Sequence, residues 1–363
     1  MTAVVPLRLG IVGAGRVVER VHLPLILERT DVRVAALFDA DGARSAGLAR
    51  PLGAAACASL EELLGSDLDA VLVACPNHQH AAVTLAALDA GLHVLCEKPM
   101  ATSRSQAEAM VRASERADRE LTIAFPSRHR PEIEALRQAL RDGVLGEIRS
   151  VRCGWLRREG VPGIGTWFTR RDLSGGGVLT DLGSHLLDLV FCLVGPRPLA
   201  SATVRLAHGL ERADQASWYT SGEAGHGAAD VEISASGFAL LEGPLDLFLE
   251  VSWASAVPRD RTYLELAGTD GVARLETLFG FSPNGLRPRY PLRIWPRQGR
   301  PQRIEGSPDV MQPYRALWSR FVEGLARGER RRADLAEAAA AVAAVEALYR
   351  AAEQPRDVLG GVA

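Results

Sequence analysis

Short apolar runs alternate with segments of helical periodicity through the first 125 residues, and this alternation restricts the chain to a small set of folds. The runs are Leu7 to Val12, Val32 to Phe38, Ala70 to Ala74, His93 to Cys96 and Leu121 to Phe125. Between them lie segments such as "HAAVTLAALDAGL", whose apolar residues recur at helical spacing and whose Gly91 suits a helix C-terminus. In "SLEELL", Ser59 stands three residues before Glu62, a capping-box start. Strands alternating with helices imply crossover units and a parallel sheet covered on both faces.

The texture changes after Phe125. "PEIEALRQALRDG" is a helix that begins at a proline, "EIRSVRCGW" is a strand, and "DLGSHLLDLVFCLVG" is a further helix. From Ser201 to Glu276 come "DVEISASGFALL", "LDLFLEVSW" and "TYLELAG", with "TDG" as a tight turn before "VARLE". Such strands with short turns predict a mostly antiparallel sheet. Met311 to Glu353 is helical again. With 363 residues, too many for one ordinary core, the expected organisation is an α/β domain over 1–125 and an α+β domain over 126–310. Helices over 311–363 are expected to pack back on the first domain. Two polar stretches, 207–229 and 277–308, read as irregular and are either binding loops or disordered.

Chemistry enters at the ends of the apolar runs. "GIVGAGRVVE" places Gly13 and Gly15 after the first strand and before a helix, the context of a dinucleotide fingerprint. Gly13 permits the turn, Gly15 lets a pyrophosphate approach the backbone, and Arg16 and Val17 lead into a helix whose N-terminus supplies amide donors. The third position of the fingerprint is Val18, a departure from the usual small residue. Asp39 ends the next strand at a spacing suited to an adenosine ribose. Its carboxylate repels a 2′-phosphate and no arginine follows at once, so NAD is favoured over NADP. In a doubly wound sheet the carboxyl ends of strands face the ligand, which brings Pro76, Asn77 and His80 of "PNHQH" to the cleft. His78, His80 and His93 lack the spacing of a metal site, and no metal is expected.

"HVLCEKPMA" ends another such strand, so Glu97 and Lys98 arrive where a nicotinamide would lie, with Pro99 fixing the bend. A desolvated amine there suits proton transfer or the polarising of a hydroxyl. In "SGGGVLTDLGSHLLD", Asp181 and His185 are four apart at a helix start and share one face. The preceding glycines, Gly175 to Gly177, let that start approach another chain segment or a ligand. Arg128, Trp155, Trp167 and Arg170 are candidate substrate contacts, with Arg157, Arg158 and Arg171 in the same wall. Arginines there suit a carboxylate or phosphate, although a solvated basic loop reads equally well.

Taken in order, "GIVGAGRV", "PNHQH", "CEKPMA" and "GGGVLTDLGSHLLDL" resemble the Gfo/Idh/MocA family of NAD(P)-dependent oxidoreductases across nearly the whole chain. The resemblance implies a Rossmann domain followed by a large open-faced sheet, a sugar or polyol substrate between them, and Lys98, Asp181 and His185 as catalytic residues. His185 would take the hydroxyl proton as hydride leaves carbon, Asp181 would orient or charge-balance that imidazole, and Lys98 would position substrate and cofactor ribose. By analogy with such folds, a homodimer or homotetramer is expected. An NAD-using glycosidase and a non-catalytic NAD(P)-sensing regulator remain alternatives, although a regulator should have lost Lys98 or His185.

A net charge of −2, with basic residues dispersed, gives no electrostatic case for nucleic acid or an anionic membrane. The start "MTAVVPLRLGIVG" has no secretory pattern, and no apolar run reaches the roughly 18 residues a membrane span needs. Five scattered cysteines without a CxxC read as reduced thiols, so a cytoplasmic protein is expected.

Asp39 yields the first prediction. NAD should bind more tightly than NADP in calorimetric titration, and Asp39→Ser should narrow or reverse the gap. Tighter NADP binding to the parent protein would overturn the assignment.

Overall fold

The computed structural model describes residues 5–209, 229–277, 279–280 and 291–354. Its first sheet contains β1 (Leu7–Val12), β2 (Val32–Phe38), β3 (Ala55–Ala56), β4 (Ala70–Val73), β5 (His93–Cys96) and β6 (Leu121–Ile123). All pairings are parallel, in the order β3-β2-β1-β4-β5-β6. The two-residue edge strand β3 has no apolar run to announce it. Strand order reverses between β1 and β4, so the crevice at their carboxyl ends is bordered by Gly13, Asp39, Ala74 and Glu97. Each crossover helix buries apolar side chains on this sheet; that of Arg104–Ala117 buries Ala107, Met110 and Ala113.

The second sheet contains β7 (Ile148–Leu156), β8 (Leu199–Ala207), β9 (Ser234–Leu241), β10 (Leu245–Ser252), β11 (Arg261–Gly268), β12 (Gly271–Thr277), β13 (Leu292–Pro296) and β14 (Gln302–Ile304). Its order is β14-β13-β12-β11-β7-β10-β9-β8, antiparallel except for the parallel pair β7 and β10. The two last strands correct the expectation that 277–308 is irregular. In "LRIWP", Leu292 and Ile294 are buried while Arg293 is exposed, so alternation persists although prolines bracket it, as they can near a sheet edge. Residues 278 and 281–290 of that stretch, and 210–228 of the other, lie outside the described residues.

A turn of π-helix at Leu179–Gly183 continues into the helix Ser184–Val194, which packs against β7. The region Arg171–Val194 has the length and composition of a membrane span, but its apolar window is 83% buried inside the protein. Its start is fixed by Glu232, whose carboxylate accepts the N–H groups of Gly177 and Leu179 at 3.1 and 3.0 Å and the Tyr349 hydroxyl at 2.7 Å. A Cβ at Gly177 would collide with the Glu232 backbone, one at Gly176 with Tyr349 and one at Gly175 with Thr102, so each glycine approaches another chain segment closely. The C-terminal helix Arg332–Glu353 packs against Ser184–Val194 and β8 on one side and against Arg104–Ala117 and β6 on the other. The preceding helix, Gln312–Ala326, rests on Pro126–His129 and Leu23–Leu27.

Arg128 belongs to this framework, which corrects its expected place among the substrate contacts. Its buried guanidinium grips Asp188 at 2.7 and 2.5 Å and Glu337 at 2.6 Å, joining the two helices that carry those acids. Arg128→Met would leave two carboxylates without their partner. It should cost about 3–5 kcal/mol of unfolding free energy in urea titration. A loss under about 1 kcal/mol would mean that the cluster contributes little.

Candidate active site

The described residues enclose a cavity of about 440 Å³ at the carboxyl ends of the first sheet, closed on its far side by the second sheet and the helix Leu179–Val194. Gly13, Gly15, Arg16, Val17, Asp39, Pro76, Asn77, His80, Glu97 and Lys98 all line it, as do Trp155, Trp167, Asp181 and His185.

Gly13 has φ +95°, and a Cβ there would collide with the Ala74 carbonyl, so the turn requires glycine. A Cβ at Gly15 would meet nothing within 4 Å. That open backbone beside a helix start is a cradle for a pyrophosphate. Asp39 closes the turn by accepting the Ala14 N–H at 2.6 Å and the Asp41 N–H at 2.8 Å, and its remaining lone pairs can accept a ribose diol. The residues present therefore fit a dinucleotide. Val18 is fully buried among the apolar residues beneath the sheet, so this core accommodates the larger side chain. Arg44, five positions beyond Asp39, lines the same cavity and pairs with Asp41 at 3.5 Å. Nothing in the local sequence singles it out, because its approach depends on the turn of the helix that follows.

At the other end, Lys98 Nζ donates to Asp181 Oδ1 at 2.5 Å, and Trp253 Nε1–H donates to Asp181 Oδ2 at 2.8 Å. Burial alone would raise the Asp181 pKa, but the charges of Lys98 and Arg157 with these two hydrogen bonds carry it below the ordinary carboxylate range. Asp181 therefore charge-balances the lysine and does not hydrogen-bond His185, which corrects the expected orienting role. His185 is set instead by aromatic rings: Phe125 edge-on at 5.6 Å and Trp155 at 5.5 Å between centroids. Its Nδ1 is buried without a partner, and it makes no protein hydrogen bond, which leaves Nε2 as the nitrogen a ligand can reach. Burial, and then the charge of Lys98, hold the imidazole well below its usual pKa, hence neutral.

Glu97 is held by residues the sequence did not single out. Trp318 Nε1–H donates to His22 Nδ1 at 3.1 Å, which fixes the tautomer and leaves Nε2–H to donate to Glu97 Oε1 at 2.7 Å. The Lys98 N–H adds a bond to Oε2 at 3.1 Å. Burial raises the Glu97 pKa, but the hydrogen bond and charge of its neighbours bring it below the ordinary value. The available signal was His22 itself, a polar residue among the buried Val18, Val21 and Leu25 of "VERVHLPL".

His80 is 1% exposed and has its ring nitrogens 2.7 Å from the Pro99 carbonyl and 2.9 Å from the Cys75 carbonyl; burial keeps the ring neutral, so its single N–H donates to one of the two. Asn77 donates to the Ser174 carbonyl at 2.8 Å, linking the sheet to the glycine loop. Arg170 pairs with Asp172 at 2.8 Å on the surface, and neither it nor Arg158 or Arg171 lines the cavity, a correction to the proposed basic wall. Arg157 does line it, with Tyr314, which sequence reading passed over.

Comparison with known proteins agrees with this geometry. A family model described as "Oxidoreductase family, NAD-binding Rossmann fold" (GFO/IDH/MocA) matches residues 7–125, and the GFO/IDH/MocA C-terminal domain matches 133–274. A protein of Amycolatopsis mediterranei, provisionally named a UDP-kanosamine synthase oxidoreductase subunit, is 35% identical over 96% of this chain and 97% of its own. A D-glucoside 3-dehydrogenase of Escherichia coli is 38% identical over 52% of this chain and 54% of its own. Among solved structures, a 3-ketoreductase from Actinomadura kijaniata in complex with NADP and TDP-benzene superposes with a TM-score of 0.74. It covers 95% of this chain and 98% of its own at 23% identity.

The site makes a direct prediction about His185. In a residue-resolved NMR titration its ring should remain neutral at about pH 6, where an ordinary imidazole of pKa about 6.5 is largely protonated. A midpoint near the ordinary value would contradict the burial argument.

Proposed function

The chain belongs to the GFO/IDH/MocA family of oxidoreductases with an NAD-binding Rossmann fold, and on that premise we propose that it interconverts a secondary hydroxyl and a ketone on a sugar ring. The observation that carries this reading is the Lys98–Asp181 pair beside a neutral, unpartnered His185, in the same cavity as the glycine turn. A bound nicotinamide supplies the hydride acceptor or donor. His185 takes the hydroxyl proton during oxidation and returns it to the ketone oxygen during reduction. Lys98, restrained by Asp181, directs its remaining N–H donors at that same oxygen and stabilises the charge that develops there. Trp155 and Trp167 offer flat apolar surface to the sugar ring and keep water from the reacting atoms.

Two of the named relatives act at position 3 of their substrates by name, which favours the 3-hydroxyl of a pyranose as the reacting group here. Asp39, anchored in the glycine turn, favours NAD; Arg16 and Arg44 in the same cavity are the residues through which NADP would be accepted. The second sheet turns Phe238, Leu240 and Trp295 outward on one face, a surface suited to pairing copies into a homodimer or homotetramer. All five cysteines are free thiols, in keeping with a cytoplasmic setting.

The test is a panel of glucosides, nucleotide sugars and polyols, followed by nicotinamide absorbance with NAD and NADP separately. Lys98→Met and His185→Ala should keep the parental melt and its stabilisation by NAD. Removing the proton acceptor should lower kcat by about 10²–10⁴. The double variant should lose much less than the product of the single losses, because both residues act on one transition state. Near-parental kcat in either single variant removes that residue from the catalytic set, and sugar release without net cofactor reduction would indicate a glycosidase.

A further inference from the structure

Arg157 has so far appeared only as a charge that helps keep Asp181 ionised, and its surroundings are unusual for a guanidinium. It is 7% exposed, lines the cavity that holds Lys98 and His185, and makes no side-chain hydrogen bond or ion pair among the described residues. Its Nη1 is buried without any partner. A charge removed from water persists at such a cost only where something compensates it. Burial dominates its electrostatics, and the carboxylates of Asp181 and Asp260 offset only part of the penalty. Asp181 is already engaged by Lys98 and Trp253, while Asp260 accepts the Arg158 N–H.

The placement is rigid. The Arg157 N–H donates to the Ser252 carbonyl at 2.9 Å, and the Ser255 N–H donates to the Arg157 carbonyl at 2.9 Å. Arg157 thus sits just past the end of β7, clamped to the segment that follows its parallel neighbour β10, and Trp253, the donor to Asp181, begins that segment. The guanidinium carbon lies 5.6 Å from the Trp155 ring, and the same ring is 5.5 Å from His185. One indole therefore contacts both the unpaired cation and the neutral imidazole, which keeps any group bound by Arg157 within one sugar of the reacting carbon.

We propose that Arg157 is an anion subsite and that the substrate is an acidic sugar, carrying a carboxylate or phosphate on the ring that reacts. The proposal rests on the oxidoreductase reading of the cavity and narrows its substrate class. An oxyanion would restore the missing counter-charge and accept two parallel N–H bonds from the planar fork. The dry wall of Trp155, Trp167 and Phe168 strengthens that attraction and gives a neutral hydroxymethyl group no equivalent.

Calorimetry in the presence of NAD tests it with matched pairs: methyl glucuronide against methyl glucoside, and glucose phosphate against glucose. The acidic member of at least one pair should bind about tenfold or more tightly, and which pair responds distinguishes carboxylate from phosphate. Arg157→Met should erase that preference, Arg157→Lys should retain part of it, and the Met variant should melt no lower than the parent because an uncompensated charge is gone. Equal or weaker binding of both acidic probes, absence of binding included, overturns the subsite. So does a preference that survives in Arg157→Met, and if that variant does not fold, one undiminished in Arg157→Lys overturns it instead. Failure of the oxidoreductase reading is separate: it appears as no change in nicotinamide absorbance with any sugar, neutral or acidic, while the binding preference stands or falls on its own.

Discussion

The contact between Lys98 and Asp181 joins parts of the molecule that the chain keeps far apart. Lys98 stands two residues past the end of β5, and Asp181 stands in the first turns of the helix that packs under the second sheet. Neither charge is fully solvated, and Asp181 stays ionised because Lys98 and the Trp253 N–H compensate its burial. The cleft is defined by this pair, since the glycine turn, Asp39 and Glu97 lie on one side of it and Trp155, Arg157 and His185 on the other.

Within that one cavity, environment drives ionisable groups in opposite directions. Asp181 and Glu97 stay anionic because cationic or N–H partners outweigh their burial, whereas His185, packed against Phe125 and Trp155 without a polar partner, is held neutral. Separating the protonation states of neighbouring groups is how a site acquires both a charged anchor and a proton acceptor near neutral pH. Arg157 is the exception, a buried cation that Asp181 and Asp260 compensate only in part.

The framework that keeps these distances comes largely from outside the catalytic motifs. Glu232 caps the helix start that carries Asp181, Tyr349 from the C-terminal helix joins the same carboxylate, and Arg128 locks Asp188 of that helix to Glu337. Trp318 reaches back to His22 and through it to Glu97. The last two helices thus act on both ends of the cleft without lining most of it.

Much of this was legible in the chain itself. The alternation before Phe125 dictated a parallel sheet, and the residues within a few positions of its strand ends, Gly13, Asp39, Asn77, Glu97 and Lys98, had to meet at one edge, because crossover connections leave all carboxyl ends on the same side. Asp181 and His185 were legible from their spacing. Their partners were not: Trp253, His22 and Glu232 lie 53 to 75 residues from what they hold, and no local pattern encodes a hydrogen bond across that separation. Basic residues misled for the same reason. Arg128, Arg157 and Arg170 look alike in sequence, yet one is spent on buried acids, one is left bare in the cavity and one is solvated. Periodicity and turn chemistry determine where strands end, because those are local energies; which charges find partners is decided only when distant segments pack and exclude water.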